Sequence, residues 1–208
     1  DAVKRGGNAV DAAIACALTL GVVDGHNSGI GGGCFIVVRA ADESVTAIDG
    51  REMAPARAHR DMYVINGKLD DEASKTGALA SGVPGALAAY DLALRKHGKL
   101  KLADLLRPAA DLAERGFAID EVYERKLSST AEKLKKFPES AATLFKAGGS
   151  PLKKGDLLVQ KNLAATYRAV ADHGIEWFYR GAFAEKTAAW MKENGGITQI
   201  RKNLHRHR

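Results

Sequence analysis

The sequence predicts an α+β fold in which one short antiparallel strand pair precedes a run of short helices. Three observations carry that reading. CFIVVRA (34–40) and VTAIDG (45–50) are rich in β-branched and aromatic residues, and the polar ADES (41–44) between them suits a hairpin turn. Several later stretches repeat apolar residues at helical spacing and close on glycine. Strand-like runs do not alternate with helical ones, which argues against a series of βα units. With 208 residues, 46% of them hydrophobic, the chain can bury one good-sized core or two small ones.

The first element is a helix over 9–20. Asn8 is placed to cap it, and Asp11 three residues on favours its positive end. Nearly every position from Ala9 to Leu20 is small or apolar, so the helix is expected to be buried on all sides, Cys16 included, and to stop at Gly21. The apolar run 9–23 behind Lys4 and Arg5 superficially matches a signal peptide. Asp11 interrupts it, the preceding glycines and asparagine read as loop and cap, and it falls short of the roughly 20 apolar residues that span a bilayer. Phe35–Arg39 and Val45–Asp49 form the hairpin. Residues 61–82 read as loop with an Asn66–Gly67 turn. Helices follow over 83–98, with Pro84 in the first turn, and over 102–116, where Pro108 is expected to split the segment in two. A charged amphipathic helix covers 120–137, a loop 146–158, and further helices 160–174 and 181–196, each followed by glycine.

HNSGIGGGCF (26–35) raises the question of phosphate binding. A P-loop needs lysine and Ser/Thr after its last glycine, with the strand before the helix; here the order is reversed and Cys34 follows Gly33. Read as a dinucleotide fingerprint from Gly29, the last glycine falls on Cys34. Both readings fail. What remains is a need for unusual backbone angles and close approach, either as an anion nest or as a tight turn into the strand. Two cysteines, Cys16 and Cys34, supply neither a zinc-ligand spacing nor a disulfide framework, and Cys34 has no identifiable base, His26 being eight residues away. No metal or cofactor site is expected. The net charge of +6 is spread along the chain and aromatics make up only 6%, which offers no stacking platform for nucleic acid. The one basic cluster, IRKNLHRHR (200–208), reads as a solvated tail; a nucleic-acid-binding arm is the competing reading.

Several ordered stretches resemble one family. GGNAVDAAIACALTLGVVDGHNSGIGGGCF, IDGREMAPARAHRDMY, ASGVPGALAAYDLALRKHGK, LLRPAADLAERGF, PLKKGDLLVQKNLAATYRAVADHG and FYRGAFAEKTAAWMKENGGIT are similar to the large-subunit portion of γ-glutamyltranspeptidases (glutathione hydrolases). The resemblance covers residues 1–198, with 199–208 a divergent basic tail. It implies part of an N-terminal-nucleophile hydrolase, an αββα sandwich whose proenzyme cuts itself into a large and a small subunit. It implies that a threonine opening the small subunit attacks the γ-glutamyl amide, with its own α-amine as base, and that water or an amino acid then takes the acyl group. By resemblance, Arg51 in DGREMAP grips the substrate α-carboxylate, a task suited to a planar, permanently charged guanidinium. Glu52 and Asp49 are read as structural. The nucleophile is not expected here: no Thr-Thr-His occurs, and Thr19, Thr46, Thr76, Thr130, Thr143, Thr166, Thr187 and Thr198 lie in other contexts.

The expected partners are therefore glutathione or another γ-glutamyl compound and the small subunit of the same proenzyme, with this chain inactive by itself. The family implies a periplasmic or secreted location. Its members have residues ahead of GGNAVDAA and continue differently after Thr198, so truncation at both ends and a frameshift or gene fragment are expected. Cys34 and Ile36 depart from the family's glycine and Met or Leu. A cephalosporin or glutaryl acylase of the same architecture is the alternative, and a non-catalytic remnant acting through its tail is a third reading.

Overall fold

The computed structural model describes residues 1–199; the basic run at 200–208 lies outside them, so the tail reading is not addressed by the fold. In chain order the elements are α1 (Ala9–Val23), β1 (Cys34–Arg39), β2 (Val45–Gly50), β3 (Val64–Ile65), β4 (Lys68–Leu69), α2 (Ala86–His97), α3 (Leu102–Arg115) and β5 (Phe117–Ala118). They continue as α4 (Glu121–Leu134), α5 (Pro138–Leu144), β6 (Leu157–Leu158), α6 (Lys161–His173), α7 (Ile175–Tyr179) and α8 (Ala182–Glu193). Among the described residues helices dominate and every sheet is a two-stranded antiparallel pair, the helix-rich α+β composition expected. The described residues divide into two compact units, Asp1–Ile30 with Tyr90–Asp172, and Gly31–Ala89 with residues 173–199.

The first unit is built around α1 and α3, which pack together. The cap at Asn8 forms as expected: its Oδ1 accepts from the N–H groups of Val10 and Asp11, and Asp11 returns a bond to the Asn8 N–H. Asp11 does more than favour the helix end. It is wholly buried and also accepts the N–H groups of Lys99 and Leu100, tying α1 to the turn that follows α2. Burial by itself pushes this carboxyl up, but the N–H donors of Asn8, Leu100 and Lys99 outweigh burial and hold it below the ordinary value.

Two expectations for α1 are corrected. The helix runs through Gly21 to Val23, because Gly21 serves close approach rather than termination: a Cβ there would lie 2.7 Å from the Tyr167 hydroxyl and 3.3 Å from the Gly29 Cα. That hydroxyl donates to the Leu18 carbonyl, so α6 sits directly on the glycine face. The helix is also not buried all round. Ile14, Leu18, Gly21 and Val22 face inward, while Cys16 and Leu20 are exposed.

Pro108 does not split α3. It has no N–H for the carbonyl of Asp104, one turn back, and the guanidinium of Arg5 supplies that bond at 2.9 Å. The helix therefore stays continuous and buries Leu105, Leu106, Ala109, Ala110 and Ala113 as one stripe. On its outer side Arg168 of α6 bridges Asp111 and Glu114, and Arg107 pairs with Asp172. The stretch 146–158 is not all loop. Its last residues form β6, which pairs with β5 in the register Phe117↔Leu158 and Ala118↔Leu157. Leu158 joins Ile119, Tyr123 and Leu127 in a small core, with Phe117, Leu134, Leu144 and Leu152 around it. A two-residue strand has no periodicity to read, so only its partner reveals it.

In the second unit β1 and β2 form the expected hairpin, from Cys34↔Gly50 to Arg39↔Val45. One face carries the buried Ile48. The other exposes Phe35, Val37 and Val45, each about two-thirds open to solvent. The Asn66–Gly67 turn also forms. Both residues take positive φ, 53° and 75°, as a two-residue hairpin turn of the right twist requires, and β3 and β4 flank it. The 83–98 helix begins only at Ala86, after a Met53–Val83 bridge with N–H···O bonds of 3.0 and 2.8 Å. Helices α7 and α8 pack together through a stacked Phe178–Phe183 pair.

Candidate functional site

The glycine run is a backbone junction. The Gly32 carbonyl accepts from the N–H groups of Gly85 and Ala86 at 3.0 and 3.1 Å, and the Tyr179 hydroxyl accepts from the Ala88 N–H at 3.1 Å. The positive N-terminal end of α2, the place where an anion would sit, is thus occupied by a carbonyl and a phenol of the chain itself. The approach is close enough to exclude side chains: a Cβ on Gly33 would come within 2.7 Å of the Gly50 carbonyl oxygen, and one on Gly85 within 2.3 Å of it. The tight turn expected of this loop forms.

This junction sets the start of the segment bearing Arg51. Gly50 ends β2, and the Asp49 carboxylate accepts the Arg51 N–H at 2.9 Å, fixing the backbone of the turn. Two residues on, the Met53–Val83 bridge pins the chain again. The Arg51 side chain is 70% exposed, and its Nε lies 3.3 Å from the Glu52 Oε2. It lines a pocket of about 450 Å³ together with Glu52, Met62, Tyr63, Ser81 and Gly82 among others. An ion pair made through Nε leaves the two terminal nitrogens open to a carboxylate, in the fork geometry that makes such pairs bidentate. Asp49 and Glu52 therefore act on Arg51, one through its backbone and one through its side chain. Tyr63 and Ser81 share the pocket, and nothing in the sequence pattern singled them out; their link to Arg51 is made by tertiary folding alone.

The other candidates fall into place around this. Burial, then the charges of Glu52 and Asp49, push the half-buried Cys34 thiol up and away from thiolate character. His26 is engaged elsewhere, 3.0 Å from the Asp24 carboxylate and edge-on to the Tyr123 ring. The hydroxyls of Thr19, Thr130, Thr143 and Thr166 each donate to a carbonyl one turn back in their own helices. None of these four is paired with a base.

The chain is similar to known proteins in sequence and in fold. The family model described as Gamma-glutamyltranspeptidase matches residues 1–206. The glutathione hydrolase proenzyme of Escherichia coli (strain K12) is 42% identical over 198 residues, covering 95% of this chain and 34% of that protein. The chain thus spans about a third of the length of such relatives. Among solved structures, the γ-glutamyltranspeptidase of Helicobacter pylori superposes with a TM-score of 0.92 at 39% identity, over 96% of this chain and 57% of the other. The cephalosporin acylase of Bacillus halodurans is similar at a TM-score of 0.84 and 27% identity, over 96% of this chain and 38% of the other. The fold is accordingly part of an N-terminal-nucleophile hydrolase, and the chain belongs to the γ-glutamyltranspeptidase family.

Proposed function

We propose that this chain supplies the large-subunit part of an enzyme that cleaves γ-glutamyl amides such as glutathione and passes the γ-glutamyl group to water or an amino acid. Arg51 clamps the α-carboxylate of the γ-glutamyl group and so holds the γ-carbonyl at a fixed distance. A threonine at the start of a small subunit attacks that carbonyl, and its α-amine takes the hydroxyl proton and delivers it to the leaving amine. The resulting γ-glutamyl ester is then opened by water or by an amino-acid amine. The observation that carries this reading is the placement of Arg51 at an open pocket, with its backbone fixed by Asp49 and its Nε held by Glu52. The exposed apolar face of β1 and β2, bearing Phe35, Val37 and Val45, is the surface we assign to that small subunit.

The test is reconstitution. The chain alone should not turn over γ-glutamyl-p-nitroanilide, and the chain with a small subunit of this family supplied in trans should. In the reconstituted enzyme, Arg51→Ala should cost about 2–4 kcal/mol of substrate binding, read as a rise in KM of roughly 30- to 1000-fold. Arg51→Lys, which keeps charge but loses the fork, should fall between. A KM unchanged by Arg51→Ala would overturn the role of the arginine. Preferred cleavage of a glutaryl β-lactam amide over the γ-glutamyl substrate would replace the reading with the acylase one, which the cephalosporin acylase likeness keeps in view.

A further inference from the structure

The polar side chains around the Arg51 pocket are unequally engaged. Ala54, Met62 and Leu79 give it apolar walls, and Arg51, Glu52, Tyr63 and Ser81 are its polar side chains. Glu52 pairs through Oε2 with the Arg51 Nε, and the Ser81 hydroxyl donates to the Gly77 carbonyl at 3.4 Å. The Tyr63 hydroxyl makes no hydrogen bond among the described residues, and its oxygen is open to solvent although the residue is half-buried. The backbone at this tyrosine is pinned on both sides. The Tyr63 carbonyl accepts the Asp70 N–H at 2.8 Å, and the Val64 N–H donates to the Asp61 carbonyl at 3.0 Å. A ring so held at the mouth of the β3–β4 hairpin has little main-chain freedom left to lose when a ligand binds. Two side chains of the lining thus keep uncommitted protons: the terminal nitrogens of Arg51 and the phenol of Tyr63. An anion satisfies both. A carboxylate offers about four lone-pair sites and a bidentate guanidinium takes two, so a further donor finds room.

We infer that Tyr63 is a substrate-binding residue whose hydroxyl donates to the same carboxylate that Arg51 clamps, so that the pair selects γ-glutamyl compounds with a free α-carboxylate. This role presupposes the clamp proposed for Arg51. The experiment measures kcat and KM of the chain reconstituted with a small subunit of this family. The substrates are γ-glutamyl-p-nitroanilide and 4-aminobutyryl-p-nitroanilide, the same amide without its α-carboxylate. Tyr63→Phe removes one oxygen and keeps the ring. It should raise KM for the γ-glutamyl amide about 10- to 100-fold, the loss expected for a hydrogen bond to a charged group, and leave the 4-aminobutyryl amide unaffected. Where the latter turns over too slowly, its inhibition constant is read instead. Arg51→Ala, measured in parallel, separates the two claims. A KM raised by Arg51→Ala but not by Tyr63→Phe overturns the role of Tyr63 and leaves the clamp standing. A KM unmoved by Arg51→Ala, or a reconstituted enzyme that does not cleave the γ-glutamyl amide, overturns the clamp and Tyr63 with it. Equal losses on both amides in Tyr63→Phe would make the phenol a support of the pocket wall and also overturn its contact with the carboxylate.

Discussion

Asp11 offers the most direct test of how the first unit is held together. Replacing it with alanine removes the acceptor for three backbone N–H groups, those of Asn8, Lys99 and Leu100. A buried donor left without a partner costs about 1–3 kcal/mol. Asn8 and Lys99 lie where water can partly reach the backbone, so the low end applies, and the three together give ~3 kcal/mol. Asp11→Asn keeps one acceptor but turns an NH2 group toward N–H donors, and should cost about 2 kcal/mol by the same count. Urea unfolding followed by circular dichroism measures both. The pH dependence supplies an independent check of sign. The carboxyl sits below its unfolded value, so its contribution is complete above that value, about 4, and is lost as pH falls through the lower folded value. The stability gap between wild type and Asp11→Ala should therefore be flat from about pH 5 upward and close in acid. A gap under about 1 kcal/mol at neutral pH, or one that widens as pH falls, would refute the assignment of Asp11 as the anchor between α1 and the turn after α2.

Three further expectations follow from single contacts. Gly21→Ala should destabilise by about 1–2 kcal/mol although alanine is the better helix former, because the added Cβ meets the buried Tyr167 hydroxyl at 2.7 Å; thermal melting that shows a gain would contradict this. Arg5→Ala should cost roughly 0.5–1 kcal/mol through the Asp104 carbonyl, and a double-mutant cycle with Pro108→Ala should show coupling, since alanine restores the helical N–H that Arg5 replaces; strict additivity would deny the substitution of one donor for the other. A thiol reagent at neutral pH should label the exposed Cys16 well before Cys34, whose thiol is pushed up by burial and by Glu52 and Asp49, and the reverse order of labelling, read by peptide mass spectrometry, would count against that environment.

What the sequence made legible was local. The Asn8 cap with Asp11, the Asn66–Gly67 turn and the β1–β2 hairpin all depend on residues within a few positions of one another, and each formed where read. The misreadings share a cause, a partner distant in the chain. Gly21 looks like a stop until Tyr167 is placed against it, and that tyrosine donates to a carbonyl 149 positions away. Pro108 looks like a break until Arg5 reaches a carbonyl 99 positions away. Leu157–Leu158 looks like loop until Phe117–Ala118 lies beside it. The role proposed for Arg51 comes from the family's motif rather than from chemistry readable in isolation. Its pocket neighbours Tyr63 and Ser81 were not found, because nothing in their spacing anticipates the fold that gathers them.

The glycine run shows how such distant constraints can decide a functional question. Four groups meet at one point: the Gly32 carbonyl, the Gly50 carbonyl, the start of α2, and the Tyr179 hydroxyl. An anion at the start of α2 would need the helix N–H groups that Gly32 and Tyr179 already take. The same crowding explains the glycines at 33, 50 and 85, since a side chain at any of them would collide with backbone or with Ala89. It also bears on Arg51. A turn held by Asp49, closed by the Met53–Val83 bridge and begun at a glycine packed against α2 leaves the guanidinium root little freedom, while its side chain remains open to the pocket. A carboxylate clamp needs that combination, because affinity from a bidentate pair is eroded by whatever entropy the arginine must lose on binding. The loop that resembles a phosphate cradle thus stiffens the backbone beneath Arg51.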